Sequence, residues 1–140
     1  MPSNININNN GPSFASISTS VSPPLSTSYW GVGSSSAPTG QKTQLLWVDR
    51  NEGITKGESW EFTSSFTFEG VSIQLQEYLT GTTASSTLTV QIVAGGKSTG
   101  FQSNDTSLPF TDPQGCNWMI SASFVLKGSY DDVTYNISPQ

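Results

Sequence analysis

From Trp60 to Leu79 the chain changes character at almost every residue. Trp60, Phe62, Phe66 and Phe68 recur at every second position, interrupted only by Ser64, and Glu61, Thr63, Ser65, Thr67 and Glu69 stand between them. A period of two puts one set on each face of a β-strand. The pattern pauses at Glu69-Gly70 and resumes with Val71, Ile73 and Leu75 alternating with Ser72, Gln74 and Gln76. Two alternating runs joined by two residues with Gly second predict a β-hairpin, and Gly supplies the φ > 0 that such a turn needs. One face of this hairpin is apolar and must be covered by the rest of the chain.

Further strands follow from the same pattern. Leu88, Val90 and Ile92 alternate with Thr87, Thr89 and Gln91, and Gly95-Gly96 marks a turn. Trp118, Ile120, Ala122, Phe124 and Leu126 alternate with Met119, Ser121, Ser123 and Val125. Val133, Tyr135 and Ile137 form the last strand, after a turn at Lys127-Gly128-Ser129. Leu45, Leu46, Trp47 and Val48 do not alternate, which predicts burial on both sides or a bulge. Phe14 to Val21 is read as a strand ended by Pro23-Pro24, since neither Pro can donate to a ladder. Within residues 3–8 Asn and Ile alternate, as in a short strand or in an ordered N-terminal arm spanning residues 1–12. Residues 97–116 read as a long irregular connection that is either functional or holds a short strand. Seven to nine strands and no helical periodicity predict an all-β fold. The expected form is a single antiparallel β-sandwich over residues 1–140, with a β-barrel as the alternative.

Composition narrows the function. The 140 residues include ten acidic and five basic side chains, a net charge of −5. Such a balance opposes nucleic acid, which requires a basic stripe, and opposes attraction to anionic lipid. Neutral lipid head groups and glycans are left as partners. There is no His, so the commonest general base and metal ligand is missing. The single Cys, Cys116, can form no disulfide within the chain and is expected to be a small buried residue. Glu61 and Glu69 fall on one strand face about 26 Å apart, too far for a paired-carboxylate mechanism. Asp49 to Gly53 begins like a calcium loop, but Ile54 stands where Gly is required, so a charged turn is expected. No enzyme activity, catalytic residue, cofactor or metal is predicted. No apolar run approaches ~20 residues, and the first ten residues lack a signal peptide's basic and apolar regions.

Candidate binding residues are aromatic. Tyr29 and Trp30 lie in a stretch, residues 26–41, rich in Ser, Gly and Pro, where two large rings read either as a contact surface or, for one of them folded back, as a cap on the core. Trp47, Phe110 and Trp118 complete the candidate set. The rows Thr63/Ser65/Thr67, Ser72/Gln74/Gln76 and Thr87/Thr89/Gln91 supply hydroxyls and amides on strand faces, the groups that hold sugars beside a stacking ring.

Three segments resemble the aegerolysins and the small bacterial insecticidal proteins that share their fold. Asn4-Ile5-Asn6-Ile7-Asn8-Asn9-Asn10-Gly11 resembles their opening strand and turn, residues 51–58 their Gly-punctuated segment, and Asp132-Val133-Thr134-Tyr135-Asn136-Ile137 their closing strand. No counterpart of the fungal members' Cys-Gly-Arg segment is present. The resemblance implies a single sandwich that recognises membrane lipid and works with a larger pore-forming protein partner. The leading expectation is therefore a non-enzymatic lipid-binding toxin or cytolysin component, which inserts Tyr29, Trp30, Phe110 or Trp118 into the head-group layer. The alternatives are a lectin-like carbohydrate-binding module and a structural protein that assembles as a homo-oligomer.

Overall fold

A computed structural model describes residues 2–50, 58–81, 86–127 and 130–140. Among them are eleven strands: β1 (Pro2–Asn9), β2 (Ser18–Ser22), β3 (Trp30–Val32), β4 (Gln41–Asp49), β5 (Ser59–Phe68), β6 (Val71–Gly81), β7 (Ser86–Ala94), β8 (Lys97–Ser98), β9 (Thr106–Thr111), β10 (Asn117–Lys127) and β11 (Tyr130–Pro139). They form two sheets, one of six strands in the order β3-β4-β1-β11-β10-β9 and one of five in the order β2-β5-β6-β7-β8. The fold is a β-sandwich, and the sheets do not close into a barrel. The strand count exceeds the expected seven to nine because β3 and β8, of three and two residues, are too short to leave a periodic trace.

The central hairpin forms as its pattern dictates. Phe68 pairs with Val71, and the intervening Glu69 and Gly70 have φ of 48° and 79°. Two successive positive φ values give a turn whose twist matches the strands. The apolar faces of β5 and β6 point inward: Trp60, Phe62, Phe66, Phe68, Ile73, Leu75 and Leu79 are all buried in one continuous core. Ser64, which breaks the aromatic run, is also buried, and its hydroxyl lies 3.2 Å from that of Thr19 on β2. The polar gap in the pattern is thus met by a polar partner, as a buried hydroxyl requires.

Phe68 ties the sheets together. Its ring meets Phe14 edge-on at 5.7 Å, Trp118 at 4.9 Å and Phe110 at 6.1 Å, and Phe14 stacks on Phe66 at 4.4 Å. Phe14 makes only a single bridge, to Ala37, and the strand predicted from Phe14 begins instead at Ser18. Leu45 and Leu46 are both buried because the pairing with β1 slips between them: Ile5 faces Leu46 while Asn6 faces Gln44. The extra residue turns two successive side chains inward, the bulge that the missing alternation predicts.

Of the two readings of residues 3–8, a short strand or an ordered arm, the strand is the one that forms, and it lies inside a sheet. β1 pairs antiparallel with β4 and parallel with β11, and Ile5 and Ile7 are buried. Asn9 secures its end, donating to the carbonyls of Pro12 and Ala37 at 2.9 Å and accepting from the Gly11 amide at 2.9 Å. The segment read as a charged turn after Arg50 and the turn at residues 128–129 lie outside the described residues.

Candidate functional site: a polar sheet face with an aromatic pair

The three hydroxyl and amide rows share one surface. Thr63 pairs with Gln76, Ser65 with Gln74, Thr67 with Ser72 and Gln76 with Gln91, all across the outer face of the five-stranded sheet. Their parity leaves them no alternative, since their strand neighbours fill the core. Two of these side chains, Gln76 and Gln91, form a directed chain of hydrogen bonds with Glu61 and Ser98. Gln76 Nε2 donates to Glu61 Oε1 at 3.0 Å, Gln91 Nε2 to Gln76 Oε1 at 2.6 Å, and Ser98 Oγ to Gln91 Oε1 at 2.7 Å. The Gly100 amide donates to Ser98 Oγ at 2.9 Å, so every donor points toward the Glu61 carboxylate. A carboxylate can only accept, which fixes the direction and both amide orientations. The row crosses four strands, about 14 Å at ordinary strand spacing.

Two rings stand beside this row. Tyr78 is the register partner of Glu61 on one side and Thr89 on the other. Its ring lies 6.0 Å from that of Phe101, inclined by 63°, and each residue is 41% exposed. Phe101 is held by its neighbour Gln102, which exchanges backbone hydrogen bonds with Val90 at 2.8 and 2.9 Å. The result is an open surface with an oriented amide row, a carboxylate and an aromatic step. It can stack on an apolar ring face while exchanging hydrogen bonds with hydroxyls.

Neither aromatic belongs to the predicted set. Tyr78 carries a legible signal: it occupies the polar parity of β6, after Ser72, Gln74 and Gln76, where a large ring has no core to fill. Phe101 follows Gly100 in an irregular stretch, and no periodicity marks it. Of the predicted residues, Phe110 and Trp118 are buried. Both pack on Phe68, and Trp118 Nε1 donates to Asp112 Oδ2 at 3.0 Å, so they are core residues rather than contact residues. That hydrogen bond, opposed in part by desolvation and joined by backbone donors, holds the Asp112 carboxyl below the usual range. Trp30 is also drawn inward, 5.7 Å from Phe62 with its Nε1 donating to the Leu25 carbonyl at 3.0 Å. Tyr29 is half-buried just before β3, and Trp47 is half-buried on the outer side of the six-stranded sheet. The predicted residues therefore do not converge. Cys116, expected to be buried, is exposed in the turn before β10.

Two ionisable groups lie inside the fold. Glu77 occupies a core-facing position of β6, is 1% exposed, and accepts from Tyr135 Oη of the opposite sheet at 2.5 Å. Its Oε1 has no partner, and burial pushes its pKa up to about 8 against the opposing effect of the Tyr135 hydrogen bond. Arg50 donates to Ser86 through Nε at 2.9 Å and Nη2 at 2.8 Å, and its guanidinium lies over the Tyr130 ring at 4.9 Å. Burial lowers its pKa while Asp131 counteracts the effect. Both groups join elements of the sandwich and neither opens onto the polar face. Among the described residues no three His, Cys, Asp or Glu side chains converge as a metal site.

No protein family matches this chain, and no curated protein or solved structure matches it either.

Proposed function

We propose that this protein is a non-enzymatic, lectin-like binding module that recognises neutral glycans on the outer face of its five-stranded sheet. The observation that carries the reading is the pairing of Tyr78 and Phe101 with the oriented row from Glu61 to Ser98. A sugar presents C–H groups on one side and hydroxyls around its rim. The rings offer the first a stacking surface, and the row offers the second both donors and acceptors. The scarcity of positive charge favours an uncharged ligand. Calorimetric titration with cellohexaose, mannohexaose and maltohexaose tests it. The Tyr78→Ala/Phe101→Ala double variant should lose at least about tenfold in affinity, the equivalent of ~1.4 kcal/mol, with an unchanged circular dichroism spectrum. Binding that survives the double variant undiminished would remove the site.

A second reading rests on a different observation. Val125 and Leu126, adjacent near the end of β10, are 50% and 74% exposed. Two apolar side chains at a strand end suit contact with a neutral lipid interface, the mode expected of a cytolysin-like component. Flotation with phosphatidylcholine/sphingomyelin vesicles, compared with Leu126→Asp, separates it from glycan binding.

A further inference from the structure

We propose that the chain is bivalent, with a second glycan-binding site on the opposite sheet centred on Trp47. The inference rests on the glycan reading above but uses different residues. Trp47 lies on the outer side of β4 between Gly31 of β3 and Asn4 of β1. Its neighbours Leu46 and Val48 take the core positions. The indole is laid against the edge strand so closely that a Cβ at Gly31 would fall 2.3 Å from Trp47 Nε1. Any side chain at residue 31 would displace the ring, so Gly31 sets its orientation.

Trp30 and Trp118 give their indole N–H to protein acceptors. Trp60 has no such acceptor among the described residues, but its ring is buried in the core, whereas Trp47 lies on an outer face. Among the described residues Trp47 Nε1 has no protein acceptor, and with Trp47 half-buried on the outer face the N–H is left for an external one. Beside the ring stands an amide pair, Gln44 Nε2 donating to Asn4 Oδ1 at 2.7 Å, while the Asn4 backbone N–H donates to Asp132 Oδ1 at 2.9 Å. The amide surface continues to Asn8 and Asn136, which share a hydrogen bond of 3.0 Å. A ring with a free donor beside oriented amides repeats the chemistry of the Tyr78 face.

The two surfaces point away from each other, because they are the outer faces of sheets stacked about 10 Å apart. No single short glycan can reach both, so each chain holds two ligands and bridges two glycan-bearing surfaces.

The test is stoichiometry, measured calorimetrically with whichever of cellohexaose, mannohexaose and maltohexaose the wild-type protein binds. The expected values are two sites per chain in the wild type, one in Trp47→Ala and one in Tyr78→Ala/Phe101→Ala. Gln44→Ala, an exposed change that leaves the ring in place, should weaken one of the two sites several-fold and guards against misfolding of the Trp47 variant. One site per chain in the wild type, lost with Tyr78→Ala/Phe101→Ala, would overturn bivalence and keep the first site. Two sites that persist in Trp47→Ala would overturn it as well. Failure of the wild-type protein to bind any of the three sugars would overturn both readings together.

Discussion

The two sheets differ in where their long-range pairing falls. In the five-stranded sheet β5, β6, β7 and β8 follow one another in sequence and in space, each pairing with the next. In the six-stranded sheet the first strand sits between β4 and the last one, and the parallel partners Ile5 and Val133 are separated by nearly the whole chain. Local pairing costs little loop closure, whereas distant pairing must be held by side chains that fit only each other. The second sheet accordingly has specific polar ties across β1, such as Asn4 to Asp132 and Asn8 to Asn136. The first carries side-chain ties as well, the row from Glu61 to Ser98, across strands whose register the turns also set.

Removing β1 should have the largest effect of any change. Deletion of residues 2–9 opens the six-stranded sheet in its middle, uncovering β4 and β11 together. Loss of a cooperative thermal transition is expected, while a comparable deletion of the edge strand β8 leaves one in place.

The contact between the sheets is next, through Glu77 and Tyr135. The folded protein raises the Glu77 pKa from 4.5 to about 8, so it favours the neutral carboxyl. Below about pH 4.5 the group is neutral in both states. As pH rises toward 8 the unfolded chain loses the proton while the folded protein keeps it, so stability falls by ~1.4 kcal/mol per pH unit, on the order of 5 kcal/mol in all. Denaturant titrations from pH 4.5 to 8.5 should show that decline and Glu77→Gln should flatten it; identical slopes would mean the pair does not couple the sheets to pH.

Phe68→Ala should cost about 4 kcal/mol, because it empties the position where Phe14, Phe110 and Trp118 meet. Gly70→Ala should cost about 1 kcal/mol, since its φ of 79° strains any residue with a Cβ. Tyr78→Ala should change stability by less than about 0.5 kcal/mol, measured by thermal melting. A larger loss would make Tyr78 a structural residue and weaken the case for the polar face.

The difference between the sheets also decides what could be read from the chain. The β5–β6 hairpin, its turn, the bulge at Leu45-Leu46 and the polar rows are local patterns, and each is visible in a few consecutive residues. The place of β1 is not, because Asn-Ile alternation describes an edge, an arm and an interior strand equally well until its partners are known. The aromatic predictions failed for a related reason. Trp30, Phe110 and Trp118 stand among polar and breaker residues that suggest a surface, yet partners distant in sequence, Phe62 and Phe68, draw them inward. Tyr78 was readable from its parity alone, whereas Phe101 depends on a bridge between Val90 and Gln102 that no short window contains.

The parallel pairing of β1 with β11 has a consequence for how the molecule can be strung together. The chain enters the sheet at one pole of the sandwich and leaves at the other, a strand's length of roughly 30 Å away. Copies or partners fused in series would therefore line up like beads threaded end to end, with their broad faces to the side. Such a string would not double back on itself, and a tether attached at either end would leave both sheet faces uncovered.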